Sequence, residues 1–154
     1  TGRSIERKMS FMTQEVDERE AKVRQIKKEI SSEEILSTVL VSLEDKQGEE
    51  VQCFNIAEVS SVADYMVVST ATSSTHSRVL AEVIRYQCKK RKYQHLNNGQ
   101  ADDENWTILD YGSVVVHLQN REARERYRLH DLWKDGVPVN IQSHLDEFPT
   151  ELID

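Results

Sequence analysis

The stretch Trp106-Thr107-Ile108-Leu109-Asp110-Tyr111-Gly112-Ser113-Val114-Val115-Val116-His117-Leu118-Gln119 decides the fold. Two runs rich in β-branched and aromatic residues flank one glycine, the pattern of a β-hairpin over 106–119 that turns at Gly112. Alternation puts Trp106, Ile108 and Asp110 on one face of the first strand, and Ser113, Val115, His117 and Gln119 on one face of the second. A Trp, an Asp and a His near the ends of paired strands have the mixed aromatic and polar composition of binding hot spots. Packing gives a plainer account, with Trp106 as core and His117 as a hydrogen-bonded filler, and periodicity favours it.

Upstream, residues 64–70 read as a strand whose unbroken apolar character suits cover on both faces. Val51, Cys53, Phe54 and Ile56 mark an earlier buried strand. Thr72-Ser73-Ser74-Thr75 is a cluster of N-cap residues. Val79, Leu80, Val83, Ile84 and Cys88 then line a helix closed by Lys89-Lys90-Arg91-Lys92, whose charge complements the helix dipole. That basic run reads as a solvated terminus before it reads as a nucleic-acid patch. Ser31 and Glu34 fit a capping box, so a helix carrying Ile35, Leu36, Val39, Leu40 and Leu43 starts there. It is expected to end at Lys46-Gln47-Gly48 with Gly48 as the stop. Residues 97–104 read as a polar loop and 121–133 as one closing helix. Residues 136–154, with Pro138 and Pro149, read as an extended acidic tail. This order predicts an α/β fold, a mixed β-sheet with packed helices.

The first thirty residues follow another rule. Ile5, Met9, Met12, Val16, Val23, Ile26 and Ile30 step along a heptad seam, with Arg19 at the one missing position. Such a stripe suits a long helix docked on a separate partner, or one lying on its own domain. An isolated helix of this kind is marginal in water, so the seam needs a surface, and a helical assembly partner is expected.

The chain has 154 residues and a net charge of −7, with 38% apolar and 31% charged residues. Residues 1–30 contribute 8 Lys/Arg and 6 Asp/Glu, so the acidity belongs to the body and tail. A body of that sign is a poor nucleic-acid binder and suits a basic protein partner. No apolar run is long enough to span a membrane, and the start lacks a secretory h-region. Two cysteines, Cys53 and Cys88, give neither a disulfide scaffold nor a zinc motif. No metal site or cofactor is expected.

Enzymatic chemistry fares poorly. Ser73, Ser74, His76 and His117 lack the strained serine turn of a triad. The turn Ala71-Thr72-Ser73-Ser74 between strand and helix has free amides but no glycine and no Walker lysine. A nucleotidyltransferase needs carboxylates on a strand for two metals, whereas Asp102, Asp103 and Glu104 lie in a loop.

Three strings carry a resemblance. Residues 43–51, then Ser61-Val62-Ala63-Asp64-Tyr65-Met66-Val67-Val68 and Thr72-Ser73-Ser74, resemble the ribosomal silencing factor family, also called the Iojap family. Trp106-x-x-Leu109-Asp110-Tyr111-Gly112-x-Val114-Val115-Val116-His117 resembles its second signature, and Arg124-x-x-Tyr127-x-Leu129-x-x-Leu132-Trp133 its third. The chain departs from the pattern at Ala71, Thr75, Ser113 and His130-Asp131. The resemblance implies a nucleotidyltransferase-like shape without catalytic carboxylates, and no enzyme activity. It implies binding to the large ribosomal subunit through its conserved protein fourteen on the intersubunit face, with little direct rRNA contact. Such binding blocks small-subunit joining, and organelle members assist large-subunit assembly.

On that footing residues 1–32 form a helical extension, 33–135 the silencing-factor domain and 136–154 the tail. Asp64, Thr72, Ser73, Ser74, His76, Trp106, Asp110, Tyr111 and His117 are expected to border the ribosomal-protein contact. The extension favours the mitochondrial matrix over a chloroplast or a bacterial cytoplasm, and no membrane association is expected. A nucleotidyltransferase-type enzyme, or an adaptor recruiting a helical partner, is the competing reading.

Overall fold

The structure, a computed structural model, describes residues 16–97 and 105–154. Ile5, Met9, Met12, the side chain of Val16, and the loop acids Asp102, Asp103 and Glu104 lie outside the described residues. In chain order the elements are α1 (Val16–Glu29), α2 (Ser32–Asp45), β1 (Glu49–Asn55), β2 (Tyr65–Thr70), α3 (Ser74–Lys90), β3 (Trp106–Asp110), β4 (Val114–Gln119), α4 (Arg121–Tyr127), α5 (Leu129–Leu132), β5 (Val137–Pro138) and α6 (Ile141–Glu147).

The hairpin forms as its sequence demands. Trp106 pairs with Gln119 and Asp110 with Val115, and Gly112 turns the chain at φ +82°, a conformation that costs other residues energy. β4 continues into the sheet as the parallel neighbour of β2, with Tyr65 opposite Val114 and Thr70 opposite Gln119. Among the described residues five strands run β3-β4-β2-β1-β5, with β2 and β4 the only parallel neighbours. Both strands are buried along their whole length, which explains their unbroken apolar reading.

Alternation then sorts the side chains into two cores. Val67, Leu109, Val116 and Leu118 face one way, onto α2 and α3 with Ile35, Leu36, Val39, Leu80, Ile84 and Cys88. Met66, Val68, Ile108 and Val115 face the other way, beside Phe54, Trp106, Leu129 and Trp133. The helix starts follow their caps. Ser31 Oγ accepts from Glu34 N at 3.1 Å, and Ser73 Oγ accepts from His76 N at 3.0 Å.

Four expectations are corrected. The left-handed residue after α2 is Gln47 (φ 60°), not Gly48. Gly48 is small for another reason, since a Cβ there would come within 2.6 Å of Ser69 Oγ. The closing helix is two, because Arg128 adopts φ 45° and breaks it, which turns Leu129 and Trp133 into the second core. The tail is no extended arm. Val137 and Pro138 add a short edge to β1, and Asn140 caps α6 through its side chain at 2.9 Å from Ser143 N. Ile141, Leu145 and the buried His144 then lie on the first core, and Ser37 Oγ donates to Phe148 O at 2.7 Å. Finally, the described end of the N-terminal seam packs on its own domain. Val23 and Ile26 are buried, Ile30 packs on the first core, and Ile26 belongs to that core outright.

Burial sets the acid–base behaviour of this interior. It pushes the Cys53 and Cys88 thiols up to about 12 from 9.0, and raises the Tyr65 and Tyr111 phenols above their ordinary 10.0. Groups whose folded pKa is raised stabilise the fold below their unfolded pKa and lose that contribution as pH rises through the folded one. The urea midpoint should therefore be flat across neutral pH and fall from about pH 9 upward. In the native protein at pH 8 both thiols should resist alkylation, since a pKa near 12 leaves about one part in ten thousand as thiolate. Rapid labelling of either under native conditions would contradict this packing.

Candidate functional site

The parallel pairing of β2 with β4 decides which motif residues meet. Asp64 stands just before β2, and its backbone N–H donates to Ser113 O at 2.9 Å, just before β4. Asp110 ends β3 beside the same turn. Two motif carboxylates, Asp64 and Asp110, thus flank Gly112 and Ser113 at one end of the sheet.

Each of them holds a cation from α1. Arg19 Nη2 donates to Asp110 Oδ1 at 2.9 Å and Arg19 Nε to Asp110 Oδ2 at 3.1 Å, a bidentate fork. The remaining donors reach Gly112 O at 3.2 Å and Val62 O. The Asp110 side chain is only 4% exposed and that of Arg19 11%, so this pair is largely withdrawn from water. Asp110 Oδ1 also accepts from Gly112 N at 2.9 Å, and Asn97 Oδ1 accepts from Asp110 N at 3.2 Å. At the rim, Lys27 Nζ lies 2.7 Å from Asp64 Oδ1 while Ser32 Oγ donates to Asp64 Oδ2 at 2.6 Å. Tyr65, next along, donates its phenol to Glu33 Oε2 at 2.8 Å.

Thr72, Ser73, Ser74 and His76 lie at the other end of β2, past Thr70. Six residues of strand separate them from Asp64, on the order of 20 Å. The structure therefore does not unite the expected contact residues into one patch. Thr72, Ser73 and Ser74 are exposed, with Ser73 spent as the cap of α3. His76 is a clamp: its Nδ1 accepts from Thr72 N at 2.9 Å, which leaves Nε2–H to donate to Lys46 O at 2.8 Å at the end of α2.

Trp106 and His117 form neither group. Trp106 Nε1 donates to His117 Nδ1 at 3.0 Å, and the imidazole lies between the Trp106 and Trp133 rings at 5.9 and 5.2 Å. They are 2% and 0% exposed, so in this chain they are core. Tyr111 is buried on the opposite face and stacks on His95 at 5.0 Å.

Three further residues contribute in roles that their place in the sequence does not show. Arg19 appeared only as a gap in a seam, because its partner lies ninety-one residues away. Asn97 stands at the start of the polar loop, yet it is buried, with Nδ2 donating to Ile108 O at 2.6 Å. Arg124 of the third string is buried at the far end of the sheet, bonded to Thr70 Oγ1 and Gln52 Oε1 at 2.7 Å each. Burial lowers its pKa without depriving it of charge.

Residues 29–151 match the family model described as "Ribosomal silencing factor during starvation". Among curated relatives, "Ribosomal silencing factor RsfS" of Haemophilus influenzae is 28% identical over 99 residues, covering 64% of this chain and 97% of that protein. "Mitochondrial assembly of ribosomal large subunit protein 1" of Mus musculus is 29% identical over 101 residues, covering 62% of this chain and 43% of that one. A crystal structure of a Chromobacterium violaceum protein superposes with a TM-score of 0.65 at 24% identity, covering 68% of this chain and 88% of that one, a likeness of fold. Among the described residues no helix is long and apolar enough to cross a membrane.

The placement of His117 yields a direct test. Replacing it by Ala removes the acceptor of Trp106 and opens a cavity between two indoles, which should cost about 2–4 kcal/mol. The urea midpoint and the melting temperature should both fall. A His117→Ala protein as stable as the parent would place His117 outside the supporting core.

Proposed function

The chain belongs to the ribosomal silencing factor family, and from that premise we propose that it is a non-enzymatic factor of the large ribosomal subunit. In this reading it binds the subunit's conserved protein fourteen on the intersubunit face. While bound it blocks premature joining of the small subunit and assists large-subunit assembly. The observation that carries the reading is the family match across residues 29–151, in a chain whose motif acids Asp64 and Asp110 gather at one sheet end and each hold a cation. A site that already binds a guanidinium and an ammonium has the chemistry to receive a basic protein surface.

The expected contact residues then divide by role. Asp64, at the rim, meets the partner in exchange for Lys27, and Thr72, Ser73, Ser74 and His76 offer a second contact at the opposite end. Asp110 lies deeper in the acidic end. Trp106, Tyr111 and His117 support these surfaces from within. The part of the seam formed by Ile5, Met9, Met12 and Val16 remains the candidate for a second, helical assembly partner. Val23, Ile26 and Ile30 already have a surface in their own domain. The likeness to a mouse protein named for mitochondrial large-subunit assembly supports the mitochondrial matrix as the compartment.

The test is co-sedimentation of the tagged protein with purified large subunits, followed by addition of small subunits. Bound protein should reduce the yield of joined ribosomes, and Asp64→Asn, which keeps an acceptor for Ser32 Oγ and removes the charge, should weaken binding while lowering the melting temperature by only about 2–4 °C. The association rate should fall as salt rises toward physiological strength, where charges beyond about 8 Å are screened. Joined ribosomes formed in equal yield with and without bound protein would refute the anti-association role.

A further inference from the structure

The acidic end of the sheet is not open in this chain. It is plugged by α1, which lies almost entirely outside the family match that begins at residue 29. The slot is built by residues within the match: the Asp110 carboxylate and the carbonyls of Val62 and Gly112. Arg19 fills it with every donor group it has. At the rim Lys27 takes one oxygen of Asp64, the other being held by Ser32 Oγ. A carboxylate whose two oxygens are taken by one guanidinium cannot receive a second in the same fork.

We propose that α1 is a built-in competitor: it occupies, in cis, the guanidinium slot of Asp110 and the rim acid Asp64, and it must lift before a basic protein partner can use them. The proposal rests on the functional reading above only for the identity of that partner.

The way α1 is held suits a part that leaves. Of its fourteen residues, Val23 and Ile26 are the buried apolar ones among the described side chains, and the outer face carries Glu18, Lys22, Arg24, Gln25, Lys28 and Glu29. The rest of the hold is polar, the ion pairs of Arg19 and Lys27 and the bonds of Arg19 to two backbone carbonyls. An element with few buried apolar contacts opens at a lower free energy than the core it rests on. The break at Ile30-Ser31, where Ser31 caps α2 in an extended conformation, supplies a joint at the root of α1. Opening would return the Asp110 and Asp64 carboxylates to water with α2, β2 and β4 undisturbed.

The experiment uses the full chain, the Arg19→Ala/Lys27→Ala double variant and Arg19→Lys. Hydrogen exchange of the α1 amides should be about tenfold faster in the double variant, while β2 and β4 keep their protection. Arg19→Lys should lie between, since an ammonium keeps the charge and loses the fork. A labelled synthetic peptide of residues 16–30 should bind the double variant and not the wild type, and the same peptide with Arg19→Ala should bind neither. Affinity for large subunits should rise about tenfold in the double variant, because less of the population is closed.

Loss of protection in β2 and β4 together with α1 would make α1 a structural layer and overturn the proposal. So would a peptide that binds neither protein, or subunit affinity that is unchanged or lower in a double variant whose α1 exchanges freely. Peptide and exchange results as expected, with no subunit binding by any variant, would uphold the occupied slot and refute the ribosomal partner instead.

Discussion

A parallel strand pair cannot be closed by a tight turn, and the parallel pair β2–β4 sits near the middle of this sheet. The chain must leave the end of β2, travel back along the sheet, and enter β4 from the same end. It does so through α3, the residues that follow it, and β3, which returns antiparallel to β4. That route covers one face with helix and leaves both central strands buried, so the other face needs its own cover from α4 and α5. It also brings the residue before β2 next to the turn before β4. Asp64 and Gly112-Ser113 are neighbours for this reason, although nearly fifty residues separate them in sequence.

At that junction the sheet carries a charge it cannot easily afford. Asp110 is buried at the end of β3, and an ionised carboxylate so far from water needs more than one partner. The turn itself supplies the Gly112 amide, and Arg19 supplies the balancing charge. Gly112 is fixed twice over. Its φ of +82° disfavours other residues, and a Cβ there would lie 2.7 Å from Ile26 Cδ1 of α1. Turn, carboxylate and helix are therefore one arrangement.

Local patterns made most of the fold legible. The caps at Ser31 and Ser73, the hairpin and the doubly buried β2 each announce themselves within about ten residues. Misreadings arose where the decisive contact was distant or the local rule was indifferent. Arg128 is an ordinary helix former, and only the need to seat Leu129 and Trp133 against β4 explains its left-handed kink. The stripe of α6 is one helical turn repeated twice, too short to stand out beside two prolines. Of the site, the residue types were visible and their grouping was not. Asp64 and Thr72 look adjacent in sequence, yet a strand runs between them, so they belong to opposite ends of the sheet.

The charge distribution now has a structural meaning. The extension is slightly positive and the body strongly negative, and the two meet where Arg19 and Lys27 reach Asp110 and Asp64. A basic partner entering this end would exchange one set of ion pairs for another of the same kind. Salt screens the exposed rim pair and little of the withdrawn Arg19–Asp110 pair, and in each place one ion pair replaces another, so much of the salt effect cancels between the closed and the bound state. The equilibrium affinity should then respond to salt less steeply than the rate of encounter, which senses the long-range field of the acidic body alone. Exchange also confers selectivity, because an isolated lysine can match Lys27 at the rim but cannot reproduce the fork and carbonyl contacts of Arg19 in the slot.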